Sequence, residues 1–260
     1  MDSVGLGRGG FMALGRAPGD EPLYLRGPNI ADQAGALTMA YAILGALVHR
    51  LRTGEGQELE VSQLGSVVLL QNTSLQRFLL TGAAPDRWDR RAARNPLWNT
   101  YRCGDGRWLV LAMSQADRFW PAFCAAVGRP DWLADPRYAG MAGREAGAAE
   151  LVAEMDAHFL TRPRHHWLAR LTAAELLAGP VHEYPELVAD PQAVANGYLA
   201  EILADFGETV PVVANPVRYG ATPVTKPGRA PELGQHTEEV LLELGYEWSE
   251  IGALRRAGAI

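Results

Sequence analysis

The strongest pattern in the chain is an apolar stretch of helical period near its N-terminus. Large apolar residues recur there at helical spacing, with smaller ones between them: Leu37, Tyr41, Leu44, Leu47, Val48 and Leu51, interspersed with Ala40, Ile43 and Ala46. This period predicts a helix over 34–52, and its almost continuous apolar circumference predicts burial on several sides. Gly54 and Gly56 follow at the place where a helix of this kind ends.

The rest of the chain alternates short elements with turns. Asp105-Gly106 stands between two β-rich runs, which predicts a hairpin. Helices are predicted over 62–80 (with Ser62 as the cap), 117–128, 143–160, 163–177, 237–244 and 247–258, with short helices at 10–14 and from Asp190-Pro191 to 196. Extended segments are predicted over 181–187, 198–204 and 210–214, and residues 222–232 read as a Pro-rich connector. The remainder of residues 1–33 is expected to form loops, because Gly and Pro are frequent there and no period is visible.

The composition is that of an ordinary globular protein. Hydrophobic residues make up 48% of the chain and charged residues 21%, and the formal net charge is −6. Because no broad basic surface is available, we predict no nucleic-acid partner. The apolar run 34–48 is shorter than the roughly 20 residues that cross a bilayer, so we predict a buried helix and no membrane partner.

Cysteine use and the N-terminal residues bear on the compartment. Cys103 and Cys124 form neither a metal-binding pattern nor a disulfide framework, so no metal site is predicted. Met1 is followed by an acidic residue and a glycine-rich run instead of the apolar core of a signal peptide. A reducing, cytoplasmic location is therefore the simplest expectation.

The segment Gly5–Gly10 fits the pattern G-x-G-x-x-G, which also marks dinucleotide sites. That pattern has its meaning between a buried strand and a helix, followed by a parallel strand. Only four residues precede Gly5, and prolines interrupt the region that follows. We therefore predict a tight glycine turn packed against a larger element, and no bound NAD or FAD.

Four stretches of the chain together resemble a known family. They are 32–35 with 50–57 (R-L-R-T-G-E-G-Q), 101–110 (a hairpin with D-G-R-W-L-V), 167–181 with 190–192 (D-P-Q), and 230–241 (with G-Q-H-T-E-E-V-L). In this order they resemble the class III CoA-transferases, or CaiB/BaiF family, which includes formyl-CoA transferase, carnitine CoA-transferase and α-methylacyl-CoA racemase. The resemblance implies an α/β fold, with part of a Rossmann-type large domain and a small α+β domain.

The resemblance also implies a nucleophile. The family's catalytic aspartate begins a stretch like D-x-x-x-Q-A-x-S-G, and Asp2 stands at the same distance, eight residues, from Gly10. Leu6 and Gly7 depart from the Gln and Ala of that pattern. By this alignment Asp2 is the catalytic residue, and the backbone N–H groups of Gly9 and Gly10 are candidates for stabilising oxyanions. Without the resemblance, Asp2 would be interpreted as part of a solvated chain end.

The chemistry implied by the family explains the need for an aspartate. Its carboxylate attacks an acyl-CoA thioester, gives a mixed anhydride and releases the CoA thiolate, which then forms an aspartyl-CoA thioester. A carboxylic acid acceptor finally leaves as a new CoA ester. Acyl-CoA and a carboxylic acid are thus the expected substrates, with CoA thioester as substrate and no permanently bound cofactor.

Other residues narrow the reaction within the family. Arg91 and Arg94 could bind a substrate carboxylate or a CoA phosphate, although a solvated connector is the alternative. The related racemases carry a Glu after the second hairpin strand, where this chain has Ala112-Met113-Ser114-Gln115. Ser114 is no general base, so a racemase or isomerase is the weaker alternative. The oxalate-type enzymes carry a run of glycines before the hairpin, and this chain has residues 91–96 in that place instead.

The resemblance divides the chain into four segments. These are 1–62 (the end of the large domain with its exit helix), 63–95 (linker), 96–185 (small α+β domain) and 186–260 (return to the large domain). The family's N-terminal half, which precedes the aspartate and binds most of the CoA, has no counterpart in this sequence. We therefore expect a homodimer, interlocked as in the family, or a complex with a separate N-terminal-half subunit. A non-catalytic binding or assembly subunit and an inactive truncated product remain alternatives.

Overall fold

The computed structural model describes residues 2–16, 19–85, 88–203, 207–224 and 230–260. The chain divides into two compact units, Met1–Pro180 and Val181–Ile260. The last residue of the predicted strand 198–204 and residues 225–229 of the predicted connector lie outside the described residues. The mixed α/β class predicted from the sequence is confirmed. The division into four segments stays a prediction.

Four helices form the N-terminal part of the first unit. They are α1 (Asp2–Arg8), α2 (Ile30–Thr53), α3 (Gln63–Leu70) and α4 (Asn72–Thr81), with a 3₁₀ turn at Phe11–Ala13. The short helix α1 contacts both α2 and α3. A small apolar cluster of Leu6, Ala31 and Val67 joins the three helices, and Phe11, Met12 and Ile30 pack against it. The expectation that residues 1–33 form mainly loops is thus wrong at α1.

The predicted central helix is present, but the prediction that it is buried on several sides is wrong. Helix α2 has 24 residues, of which Ala31 and Ala34 are buried. The side chains of Leu37 and Leu51 are 71% and 85% exposed. An apolar helix surface of this kind normally packs against other protein. The helix is also long and apolar enough, by length and composition alone, to cross a membrane, so the argument from the shortness of 34–48 fails.

The core of the first unit lies in its C-terminal part. Its elements are the strands β1 (Trp98–Arg102), β2 (Trp108–Ala112) and β3 (Ala178–Val181), and the helices α5 (Ala116–Val127), α6 (Pro130–Ala134), α7 (Met141–Ala146), α8 (Ala148–Phe159) and α9 (Arg164–Ala173), with 3₁₀ turns at Arg90–Ala92 and Pro136–Tyr138. The strands form one sheet in the order β1-β2-β3. Aromatic rings dominate the core, with Trp120, Phe123 and Trp132 stacked and Phe159 and Trp167 edge to face.

The predicted hairpin at Asp105-Gly106 is confirmed. Strands β1 and β2 pair antiparallel, with Trp98 opposite Ala112 and Arg102 opposite Trp108. Gly106 has φ +80°, a backbone conformation that glycine adopts without strain. The Asp105 carboxylate accepts the N–H of Arg164, which ties the turn to the start of α9. The turn therefore fixes the position of the hairpin against the helices that cover it.

The second unit is smaller and more exposed. It contains α10 (Tyr184–Leu187), α11 (Pro191–Ala195), the strands β4 (Leu199–Leu203) and β5 (Thr209–Val213), and the helices α12 (Thr237–Glu243) and α13 (Trp248–Arg256). The two strands pair antiparallel, with Leu199 opposite Val213. The predicted extended segment 181–187 is wrong over α10, because Glu183 and Glu186 form a reciprocal capping box that favours a helix.

Candidate active site

Glycine allows α1 to lie close to its neighbours, and this contact positions Asp2. A Cβ atom on Gly5 would lie 3.2 Å from Cβ of Ala31 in α2, and one on Gly9 would lie 2.5 Å from Cγ1 of Val67 in α3. The glycine-rich segment therefore packs against a larger element, as predicted. Its first part, however, is helical and is not a turn.

The carboxylate of Asp2 lies at the N-terminus of α2. Its Oδ1 atom accepts the backbone N–H of Ala31 at 2.6 Å and that of Asp32 at 3.1 Å. These N–H groups belong to the first turn of α2, where helix N–H groups lack partners within the helix and the helix dipole is positive. Asn29, which precedes the helix, has φ 45° and makes no side-chain cap hydrogen bond. Asp2 thus takes the place of a capping side chain.

A second hydrogen bond supports the same helix start. Gln63, the first residue of α3, donates from Nε2 to Oδ1 of Asp32, whose own N–H donates to Asp2. The Ser62 side chain accepts the N–H of Gly65 and caps α3, as predicted. Asp32 belongs to a family-like stretch, but nothing in the sequence singles out Gln63, because its partner is 31 residues away.

The N–H groups of Gly9 and Gly10 are engaged within the chain. That of Gly9 donates to the carbonyl oxygen of Gly5 at 2.9 Å, and that of Gly10 to the carbonyl oxygen of Gly7 at 3.2 Å. The carbonyl of Gly9 also accepts Nε2 of Gln71 at 2.7 Å. To act as oxyanion donors, both N–H groups would have to leave these bonds. Their predicted role stays a prediction, and close packing gives a separate reason for glycine at position 9.

Arg91 and Arg94 lie apart from α1 in the sequence, on the connector that leads to β1. Arg91 is exposed, and its backbone N–H donates to the Asp89 side chain. Nε of Arg94 donates to Glu145 at 2.6 Å, with 70% of the arginine side chain exposed. These bonds lie within the connector and between the connector and α7, and α1 takes no part in them. The sequence-predicted residues are therefore brought together only in part.

The connector also approaches the segment that follows α1. The backbone N–H of Trp88 donates to the carbonyl oxygen of Gly15 at 3.0 Å. The next residue, Arg16, has two buried side-chain nitrogens, Nε and Nη1, without a hydrogen-bond partner among the residues that the structure describes. Buried donors normally have acceptors, so Arg16 marks a place where an anionic or carbonyl group would be stabilised. Sequence reasoning missed this residue.

Among the described residues, neither the two cysteines nor a cluster of metal-ligating side chains offers a second reactive site. Burial raises the pKa of the Cys103 thiol to about 11 and that of Cys124 to about 12, so both are protonated at neutral pH. No group of three or more His, Cys, Asp or Glu that could hold a metal ion occurs among the described residues. Asp2 is thus the side chain on which family resemblance and local geometry coincide.

Comparison with known proteins gives one consistent result. The family model described as CoA-transferase family III matches residues 1–237. The chain is 30% identical to a (R)-2-hydroxy-4-methylpentanoate CoA-transferase of Clostridioides difficile over 86% of its own length and 55% of the relative. It is 27% identical to a formyl-CoA:oxalate CoA-transferase of Escherichia coli O157:H7 over 93% of its own length and 62% of that relative.

Solved structures agree with the sequence matches. A CAIB/BAIF family protein from Brucella suis matches with a TM-score of 0.79 and 27% identity, over 94% of this chain and 62% of the other. A structure from M. tuberculosis matches with a TM-score of 0.74 and 26% identity, over 92% and 62% of the two chains. The chain therefore spans between 55% and 62% of the length of these relatives.

Proposed function

This chain belongs to CoA-transferase family III, and on that premise we propose that it moves CoA from an acyl-CoA donor to a carboxylic acid through a covalent intermediate on Asp2. The transfer of CoA is supported at the level of the family. The intermediate on Asp2 and the activity of this chain are the proposal.

One observation carries the proposal: the Asp2 carboxylate is fixed by two N–H groups of the α2 N-terminus. A nucleophile works best when its position is set before the substrate arrives. The carboxylate lies at the positive end of the α2 dipole. The segment that resembles the family's catalytic stretch is the one that supplies this residue.

The proposed reaction balances without a further reactant. A carboxylate oxygen of Asp2 attacks the thioester carbon, the C–S bond breaks, and the CoA thiolate leaves a mixed anhydride behind. The thiolate then attacks the aspartyl carbonyl carbon of the mixed anhydride, and the donor carboxylate leaves with the bridging oxygen. The acceptor carboxylate attacks the resulting aspartyl-CoA thioester and frees the thiolate. The thiolate attacks the acceptor's acyl carbon, which yields the new CoA ester and restores Asp2.

The same geometry favours a second candidate function. Because Asp2 occupies the position of a capping residue for α2, its bonds would be equally useful in a non-catalytic binding or assembly subunit. A racemase or isomerase of the same family is the weaker alternative, since Ser114 stands where those enzymes carry an acid/base residue.

We also propose a partner and a location. The exposed apolar side chains of α2 and the length of the relatives support packing against further protein, either a second copy in a homodimer or a separate N-terminal-half subunit. A cytoplasmic location remains our expectation from the cysteine content.

Trapping the intermediate tests the proposal. The protein would be incubated with a panel of acyl-CoAs and then with hydroxylamine, and mass spectrometry would locate the hydroxamate. We expect modification at Asp2, its loss in Asp2→Asn, and its retention in the control Glu21→Gln, which removes an exposed carboxylate of the same part of the chain. If Asp2 is unmodified both in the chain alone and in the chain mixed with a separate N-terminal-half subunit, a non-catalytic assembly subunit becomes the better-supported function.

A further inference from the structure

The side chain of Gln63 lies close to both α1 and α2, near the place where these helices meet at Asp2. It belongs to the first residue of α3 and is half-buried. A Cβ atom on Gly5 of α1 would lie 3.5 Å from Oε1 of Gln63, and one on Gly35 of α2 would lie 3.8 Å from its Cγ. Both are ordinary van der Waals distances, so the glutamine lies against the backbone of two neighbouring helices at glycine positions.

The amide of Gln63 determines where the side chain of Asp32 points. Nε2 of Gln63 donates to Oδ1 of Asp32. Because an ionised carboxylate only accepts, the NH₂ end of the amide is the end that faces it. Asp32 is the third residue of α2, and a side chain with acceptor oxygens at this position can reach back to the N–H group of the N-cap residue. The bond from Gln63 holds the Asp32 carboxylate at the start of α3 instead.

Asp32 connects Gln63 to Asp2. The backbone N–H of Asp32 donates to Oδ1 of Asp2 at 3.1 Å, and the N–H of Ala31 donates to the same oxygen at 2.6 Å. Because both bonds end on one carboxylate oxygen, a shift at the start of α2 moves the whole carboxylate of Asp2. Gln63 thus reaches Asp2 through a single residue.

Charge gives a second reason for a donor at position 63. Asp2 and Asp32 bring two carboxylates to the N-terminus of α2. Like charges at one helix end repel each other, and the amide of Gln63 offers positive partial charge to Asp32 without adding a net charge. A carboxylate at position 63 would add to the repulsion instead.

We propose that Gln63 is a positioning residue for the Asp2 nucleophile, which it holds through Asp32 and the first turn of α2. The inference rests on the proposed function in one respect, since positioning affects the reaction only if Asp2 forms the covalent intermediate. A displacement of about 1 Å can cost on the order of a hundredfold in rate. The donor at position 63 therefore affects the rate of attack and leaves the affinity for acyl-CoA unaltered.

Exchanging donor and acceptor tests the bond. Gln63→Glu keeps the shape of the side chain and places two carboxylates opposite each other. Under the hydroxylamine trapping conditions, we expect it to slow adduct formation on Asp2 at saturating acyl-CoA about tenfold or more, with the half-saturating acyl-CoA concentration unchanged. Adding Asp32→Asn restores a donor–acceptor pair, now with the donor on α2, and should recover most of the rate.

Two further variants make the comparison fair. Gln76→Glu adds the same charge at an exposed position of α4 and should react like the unaltered protein. Gln63→Met removes the donor while it keeps the length of the side chain, and it replaces Gln63→Glu if the charged variant does not fold. Urea unfolding establishes which of the proteins are folded.

A second measurement needs no turnover. Hydrogen exchange followed by NMR reports on the N–H groups of Ala31 and Asp32, which the Asp2 carboxylate engages. Exchange at these two positions should be faster in Asp2→Ala and in Gln63→Glu. It should be slow again when Asp32→Asn is added to Gln63→Glu, and it should be unaltered in Gln76→Glu.

The two measurements separate the inference from the proposed reaction. Unchanged exchange in Gln63→Glu, or no recovery when Asp32→Asn is added, overturns the role of Gln63. Faster exchange with an unchanged rate of adduct formation overturns it as well, because Gln63 would then be only structural. The expected exchange pattern without an adduct on Asp2 in any of the proteins would support the contact between Gln63 and the Asp2 site and contradict the transferase function.

Discussion

His158 shows how a polar residue behaves within the aromatic core of the first unit. Its ring lies against Trp132 and Trp167, with centroid distances of 5.5 Å and 4.9 Å. Nε2 is 2.8 Å from the carbonyl oxygen of Val127, and in the neutral ring it donates to that oxygen. Burial is the main cause that lowers the pKa of His158 below its ordinary value of 6.5. His158 therefore has a structural role in the core, and its burial favours the neutral form of the ring.

The pH dependence of stability follows from this pKa. Because the pKa of His158 is lower in the folded state, its contribution to the free energy of unfolding is complete above pH 6.5 and decreases as the pH falls through the folded-state pKa. Urea unfolding at pH 7.5 and 5.5 measures the decrease. We expect it to be smaller in His158→Gln and unchanged in His49→Gln, which alters an exposed histidine. An equal decrease in all three proteins would contradict the assignment.

Asp2 and Gln63 show the limit of sequence reasoning at the same scale. The spacing from Asp2 to Gly10 was sufficient to identify the nucleophile candidate by resemblance. The groups that hold it could not be identified, because the N–H groups of Ala31 and Asp32 lie about 30 residues further along the chain. Such contacts depend on how α1 meets α2, which the sequence of either helix does not determine.

At the scale of elements, the contact between α1 and α3 depends on a missing side chain. The short distance between Gly9 and Val67 leaves no room for a Cβ atom. This close approach brings α1, with Asp2 at its first position, onto the start of α2 and α3. Gly9 stands at a variable position of the motif G-x-G-x-x-G, and among the motif glycines Gly5 lies against Ala31 of α2.

Adding the methyl group tests this contact. We expect Gly9→Ala to lower the free energy of unfolding by about 1–3 kcal/mol, because α1 must shift or Val67 must leave its position. Val67→Ala in the same chain should recover part of that loss, so the two changes are not additive. Gly45→Ala is the control, since a Cβ there would meet no atom within 4 Å. Additive losses, measured by urea unfolding, would argue against the contact.

Several element boundaries were also decided by local geometry that periodicity does not reveal. The predicted helix 62–80 is divided at Gln71 into α3 and α4, and the predicted helix 143–160 is divided at Gly147 into α7 and α8. Arg144 explains part of the second case. Its fully buried guanidinium donates to the carbonyl of Tyr138 at 2.7 Å and lies 4.9 Å from the Trp120 ring, which anchors α7.

For the whole molecule, the apolar surface of α2 is the feature with the largest consequence. Leu37, Leu44 and Leu51 recur every seven residues and are 71%, 62% and 85% exposed. Such spacing places them close to one line along the helix. In the matched relatives, more than a third of the length lies outside the part that this chain covers. Both observations support the proposed packing of α2 against further protein.

The exposed surface leads to a prediction about association. We expect the protein to bind a hydrophobic dye and to show a mass that rises with concentration in sedimentation experiments. The triple change Leu37→Glu, Leu44→Glu and Leu51→Glu should reduce both, because charges on the apolar line oppose contact. A control with Tyr184→Glu, Leu203→Glu and Val213→Glu alters equally exposed residues of the second unit. A monomer without dye binding, or equal effects of both triples, would contradict the prediction.

By itself, the sequence determined the mixed α/β class, the family and the hairpin at Asp105-Gly106, because these depend on local pattern and on motifs in order along the chain. By resemblance it also gave Asp2 as the candidate nucleophile, which stays a prediction. Only the tertiary structure decided that α1 is a helix, that its glycines pack against Ala31 and Val67, and that Gln63 bonds to Asp32. The physical reason is that side chains far apart in sequence compete for the same space, and local propensity contains no information about which of them meet.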